Sequence, residues 1–438
     1  MFFFNIKNKL YKKFFLNSFL SSLPGFISIL LSILSIPIYL NYGGAEEYGN
    51  YIFLHFLSFL APVLNFGLGK IAAITISQNR DKDATALVVL LKTIKNSLLT
   101  LLILFLFFIS NEFFLFISRN VFFLVTLSIV FTILFITIEG IFQGKKIFFG
   151  LMIINLFFYG ISLSVPPFLL MYQHIDYKNI FFISLIIKAI IIIISIFYLF
   201  KRKPLKFFFK YSLPFSYHPN QKWFSISSLL NIAYDIMDKY LVKIYIGSVA
   251  LAVYSIPQQL AGKLSIISKG ISAVLLPSIA IKKKKELITK DFLISLRIFI
   301  FFIPLLIFLL FNFFSIFFDI WLGKNSSIEI INLAKIFSIV TWVSCLSHLI
   351  ISYYEGSGTI KINSTIELVF FPIFFTCLYF ATVNKNLFII SIVILMKEII
   401  LFIFRSIQLS KKIKIIKYSY LVILISLFFL FYSININF

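Results

Sequence analysis

Charged side chains set inside long apolar stretches are where this chain can do chemistry. Asp235, Asp238, Lys239 and Lys243 stand in one such stretch, and Lys263 and Lys269 in the next. Asp235, Lys239 and Lys243 follow one another at i, i+4 and i+8, so they share a helical face, with Asn231 above and Asp238 beside it. One reading is a self-neutralised stripe in which Asp235 pairs with Lys239. The favoured reading is the wet wall of a cleft, because even a paired stripe needs a neighbour other than lipid. Lys263 has no carboxylate at i±3 or i±4. A buried ammonium without a partner loses its proton, finds a fixed acid on another helix (Asp235 or Asp238 being the candidates) or is visited by an anion.

The remaining intramembrane charges are less pointed. Lys188 is alone in its stretch, and Lys397 adjoins Glu398 at a spacing that keeps the two from facing each other. Lys92, Lys95 and Asn96 share one face of an earlier stretch. Lys70, Glu139, Arg297, Lys335, Glu367 and Arg405 lie close enough to helix ends to snorkel to the interface. The substrate-binding candidates are therefore Lys263, Lys269, Asp235, Asp238, Lys239, Lys243, Lys92, Lys95 and Lys70.

Other chemistries lack their residues. Gly69-Lys70, Gly262-Lys263 and Gly323-Lys324 are not followed by Ser or Thr, so no phosphate-cradling loop for ATP is present. Asp81-Lys82-Asp83 has the D-x-D form of metal-dependent sugar transferases, a three-residue match that polar turns produce by accident. The four histidines show no metal-ligand spacing. Cys345 and Cys377 both fall inside apolar stretches and read as core residues. No metal, cofactor or catalytic residue is expected.

The elements that position these side chains follow from composition. Of 438 residues, 61% are hydrophobic and 13% charged, with a mean hydropathy of +1.02. A soluble chain has about a quarter of its residues charged, so this is an all-α polytopic membrane protein. Spans of about 20 apolar residues lie near 14–40, 48–74, 86–110, 117–141, 147–171, 179–200, 219–246, 249–280, 291–317, 330–353, 362–383 and 386–409. The net charge of +24 comes in short runs between spans, a topogenic signal and not a nucleic-acid footprint. Every second loop is basic (Lys145/Lys146, the run from Lys201 to Lys210, Lys282 to Lys285, Lys361), which places the N-terminus in the cytoplasm. The halves are a six-helix lobe over 1–200, a cytoplasmic linker over 201–222 and a second six-helix lobe over 223–410, around a central cavity. A basic then hydrophobic tail, 411–438, offers either a thirteenth span or an interfacial segment.

The halves echo each other. Gly44 precedes Tyr51 by the same interval as Gly247 precedes Tyr254, and each pair joins two apolar spans. With Gly44-Ala45-Glu46-Glu47-Tyr48-Gly49-x-Tyr51, Gly67-Leu68-Gly69 beside Lys70, Asp238-Lys239, and Gly247 through Tyr254 followed by Pro277, the chain resembles the polysaccharide-precursor flippases. These are the Wzx-type O-antigen transporters of the multidrug/oligosaccharidyl-lipid/polysaccharide exporter superfamily. Asn65 stands where that family often carries an acid, and Asp238-Lys239 where it often has Asp-Arg.

The resemblance implies a two-lobed bundle in the bacterial inner membrane that moves an undecaprenyl-diphosphate-linked oligosaccharide to the outer leaflet by alternating access. Its partners would be the lipid-linked oligosaccharide, membrane lipids and other polysaccharide-assembly membrane proteins, with a proton or sodium gradient as an open question. A cation-coupled drug or metabolite exporter of the same architecture is the alternative, which would want unpaired carboxylates in the cleft. A membrane polymerase or glycosyltransferase would want a large outward loop, which the spans leave no room for.

Overall fold

The computed structural model describes residues 9–58, 60–78, 81–109, 119–172, 175–200, 221–281 and 285–410, with Val422, Ile425, Ser426 and Phe429. The linker expected at 201–222 lies almost wholly outside the described residues, as does most of the tail 411–438.

Helix follows helix: α1 (Lys9–Ser58), α2 (Ala61–Leu64), α3 (Leu68–Gln78), α4 (Lys82–Ile109), α5 (Arg119–Lys145), α6 (Phe148–Asn155), α7 (Ser162–Ser164) and α8 (Tyr177–Phe200). After the linker come α9 (Gln221–Tyr245), α10 (Ser248–Gly262), α11 (Ser265–Ile281), α12 (Lys285–Leu322), α13 (Ile328–Gly356), α14 (Ile360–Val383) and α15 (Leu387–Ser410). Nine of the described helices are long and apolar enough to cross a membrane, ten if the bent pair α10–α11 counts as one span. Two more crossings escape that count. One arises because Gly44 divides α1 at a non-helical φ of 82° and ψ of 165°. The other is α9, whose Lys222, Asp235, Asp238, Lys239 and Lys243 lower its hydropathy. The expected twelve segments are thus each represented.

The echo between the halves is structural. Gly247 has φ 119° and ψ 176° where Gly44 has its kink, and both positions are open to a side chain. Positive φ is costly for any residue with a Cβ, so glycine is what allows each pair of spans to reverse here. At the same chain separation, Leu60 and Lys263 each donate a turn hydrogen bond three residues back, and each interrupts its span. The separation recurs for Ile76 and Ile279, which pack against Gly144 and Gly356; a Cβ on either glycine would lie 2.8 Å from its isoleucine.

Asn65 explains the first interruption. Its Oδ1 accepts from the Gly69 amide (3.0 Å) at the start of α3, and its Nδ2 donates to the Ile133 carbonyl and Thr137 Oγ1 (2.9 Å each). A capping amide therefore stands where the resembling family often has a charge. The fifth crossing loosens into a π-helical turn at Leu156–Ile161, then into a 3₁₀ turn at Pro166–Met171, where Pro166 and Pro167 remove two amide donors.

In the second half α13 is the central post, 89% buried over its most apolar window and packed by α10, α11, α12 and α15. Beside it, Glu367 and Arg405 are buried and paired at 2.6 Å, with Asn363 and Ser227 completing the carboxylate's shell. Snorkelling was the expectation for both. They turn inward because each supplies the other's countercharge. Cys345 is buried as expected, but Cys377 is exposed on the outer face of α14.

Candidate functional site

Three cavities converge on one residue, Lys269 of α11. The first, about 280 Å³, is walled mainly by the first half (His55, Ser58, Thr132, Tyr159 and Lys188) and closed by Gln259, Lys263 and Lys269 of the second. The second, about 180 Å³, lies in the second half, between Asp235, Asp238, Lys239, Gln258, His348, Lys397 and Glu398, again with Lys269. The third, about 270 Å³, lies between the halves and is lined by Lys70, Glu139, Gln143, Lys269, His348, Ser352 and Glu355. Helical geometry explains the sharing. Lys269 sits on α11 just past the break at Lys263-Leu264, where the 50° bend between α10 and α11 opens the bundle centre.

The first cavity is cationic. Lys188 is 5% exposed, donates to Ser128 Oγ at 3.2 Å, and lies over the Phe158 ring. Lys263 reaches Ser28 Oγ at 3.4 Å. No Asp or Glu lines this cavity, and no described carboxylate pairs with Lys188, Lys263 or Lys269. The fixed partners considered for Lys263, Asp235 and Asp238, line the other cavity instead. The break that ends α10 places Lys263 as its C-cap residue and turns it toward α1.

The second cavity has mixed charge. Asp238 is a hub: it pairs with Lys239 (3.1 Å) and accepts from Tyr254 Oη (2.8 Å) and Gln258 Nε2 (3.1 Å). The stripe is therefore not neutralised as its spacing suggested. From Asp235, Lys239 Nζ takes only the backbone carbonyl (2.5 Å), and the Asp235 carboxylate, exposed to the cavity, makes no ion pair among the described residues. Lys397 and Glu398 do pair, at 2.7 Å, because both long side chains bend to the same side of α15.

The other candidates scatter. Lys243 donates to Asn50 Oδ1 (2.7 Å) and lies over Phe53, tying α9 to α1 near the two glycine kinks. There Gly49 meets α10 so closely that a Cβ would stand 2.3 Å from the Ser248 carbonyl oxygen. Lys70 lines the third cavity and pairs with Glu355 across the halves. Lys92 and Lys95 line none of the three cavities. Thr93 takes the buried face of α4, and Lys95 is exposed in company with Leu98, Leu99 and Leu102. Sequence reasoning left Lys188, His55, Glu139 and Glu398 off the site; only the isolation of Lys188 in its span signalled a role.

No protein-family model matches the chain, and no curated protein shows significant sequence similarity to it. Its architecture, however, is that of solved structures. An outward-facing multidrug resistance MATE family transporter of the MOP superfamily superposes with a TM-score of 0.69 at 14% identity, covering 93% of this chain and 96% of that one. The chain has the MATE transporter fold. The Vibrio cholerae MATE transporter VcmN gives a TM-score of 0.66 at 13% identity over 94% of this chain and 98% of its own. The MATE multidrug transporter DinF-BH gives 0.67 at 13% identity over 92% and 96%. The three cavities described above lie at the centre of this fold. At this identity, what fills that centre must be read from this chain's own side chains.

Proposed function

We propose that this protein is a flippase that carries an undecaprenyl-diphosphate-linked oligosaccharide from the inner to the outer leaflet of the bacterial cytoplasmic membrane. The observation that supports it is the first cavity: Lys188, Lys263 and Lys269 around one space with no carboxylate among its lining residues. At an effective dielectric of about 20, one charge pair at about 4 Å is worth about 4 kcal/mol before desolvation. Three ammonium groups suit a diphosphate and repel an organic cation. The Ser, Gln and Thr lining of the second cavity suits sugar hydroxyls, and the exposed apolar faces of α8 and α12 leave the lipid chain in the bilayer.

The reading continues as alternating access. The lobes 1–200 and 223–410 rock about the seam made by α1 with α10 and α11, carrying the anion past Lys269. The N-terminus and linker are cytoplasmic, in keeping with the basic loops. No bond is made or broken, so the protein is not an enzyme.

A second reading, an exporter of organic cations with the same architecture, is favoured by one observation, the unpaired Asp235 carboxylate in the second cavity. Reconstitution separates the two. Proteoliposomes holding the protein should move a fluorescent polyprenyl-diphosphate oligosaccharide between leaflets, and Lys188→Ala should reduce this at least tenfold. Transport of a lipophilic cation without movement of the lipid-linked sugar would overturn the flippase reading. In cells, deletion of the gene should leave the lipid-linked intermediate on the cytoplasmic leaflet.

A further inference from the structure

We propose that His55 is a proton site coupled to the anion in the first cavity, so that a proton is taken up as the diphosphate binds and returned as it leaves. The proposal rests on the anion reading above and adds a co-substrate to it.

His55 lies on α1, is 8% exposed and lines that cavity. Its Nε2 is buried and has no hydrogen-bond partner. The ring is gripped edge-on by Tyr51 (4.6 Å between centroids) and Phe181 (4.9 Å). This clamp fixes the imidazole plane and leaves Nε2 without a partner. A ring held only for packing would leave a buried polar atom unmet, which an all-carbon ring at the same place would avoid.

The groups that face it are nearly all cationic or committed elsewhere. On its own helix, Tyr51 donates its hydroxyl to the Leu163 carbonyl (2.8 Å). Lys188 of α8, Lys263 at the α10–α11 break, Lys269 of α11 and Tyr159 of the π-helical turn complete the titratable lining. Glu139 of α5 lines the adjoining cavity and is held by Asn155 Nδ2 at 3.2 Å. In the empty cavity an imidazolium would be a fourth positive charge among three ammonium groups. A bound diphosphate reverses that field, and the proton and the anion then favour each other. Such coupling is reciprocal. Imidazole is the side chain whose ordinary titration falls in the physiological range, so His55 is the lining residue suited to change charge during a cycle. The proton comes from water on the side where the anion enters and returns to water where it leaves; no substrate bond changes.

The test uses the purified full chain and UDP-glucose, a soluble diphosphate diester whose two charges stay fixed across neutral pH. Binding heats measured in two buffers of different ionisation enthalpy count the protons taken up. Wild type should take up a measurable fraction of a proton per ligand, and its affinity should rise about fivefold or more from about pH 8 to about pH 6. His55→Gln and His55→Phe should bind with little proton uptake and a flat pH profile, His55→Phe serving as the variant that keeps the aromatic packing. Equal proton uptake in wild type and in either folded variant would overturn the proposal. So would the absence of uptake in wild type, whatever the variants do. A wild type that binds no UDP-glucose at all would instead remove the anion reading on which the proposal stands.

Discussion

Lys70 of α3 and Glu355 of α13 form an ion pair that bridges the two halves of the bundle, with the cavity holding Glu139 and Lys269 directly behind it. Lys70 is partly exposed and Glu355 is 4% exposed, so the bridge walls off the centre on this side. Gln78 of α3 reinforces it, donating to the Ala280 carbonyl of α11 at 3.2 Å. If the halves move apart during transport, this contact must break in each cycle.

Cysteines replacing Lys70 and Glu355, in a background with Cys345 and Cys377 changed to serine, should therefore be joined by a short bis-methanethiosulfonate bridge, and the bridge should stop transport. Reductant should restore it. Full transport by the crosslinked protein would show that this face never opens. The charge-swapped pair, Lys70→Glu with Glu355→Lys, should retain more activity than either single change.

Lys263 faces the first cavity without a carboxylate. Lys263→Arg should keep much of the flipping rate, Lys263→Ala should lose most of it, and Lys263→Glu should abolish it at normal membrane insertion. Because Asp235 and Asp238 line the other cavity, adding Asp235→Lys to Lys263→Glu should give no rescue. Recovery of transport in that double variant would mean that the two residues meet in some state of the cycle.

The neighbouring aspartates should behave differently from each other. Asp238→Asn weakens the hub that joins Lys239, Tyr254 and Gln258 and leaves a buried ammonium short of its countercharge. Losing a buried partner costs about 3–5 kcal/mol, so a marked fall in thermal stability in detergent is expected. Asp235→Asn removes an unpaired carboxylate and should alter stability by about 1 kcal/mol or less, while changing which solutes are carried. Similar melting shifts for the two variants would contradict this division.

The glycine kinks give a purely structural prediction. At Gly247, with φ of 119°, and at Gly44, with φ of 82°, space is open but the backbone is not. Alanine at either should cost about 1–2 kcal/mol, visible as a lower midpoint of heat inactivation. Alanine at Gly262, which has room for a Cβ and no positive φ, is the control and should be near neutral.

Local chemistry was legible in the amino-acid order. Apolar runs marked the spans, and the shared interval from Gly44 to Tyr51 and from Gly247 to Tyr254 marked a repeat that the backbone confirms. Both signals depend on a residue's own properties or its near neighbours: transfer of side chains from water, and the freedom of a residue without a Cβ. The basic loops belong to the same class of signal. Even the isolation of Lys263 could be read, since the lack of an acid one turn away is a fact of spacing.

Partnership between helices was decided only by the tertiary structure. Glu367 and Arg405 near their helix ends looked free to snorkel, yet α14 and α15 bring them to 2.6 Å. Lys70 and Glu355 are far apart in the chain and meet because α3 and α13 cross the seam together. Lys397 and Glu398 defeat the rule of helical facing because side-chain reach exceeds the offset of adjacent residues. Lys263 could have turned to either cavity, and the break after Gly262 sent it to the first. Sequence spacing determines which face of a helix a charge occupies; the rotation of that helix in the bundle determines what the face meets.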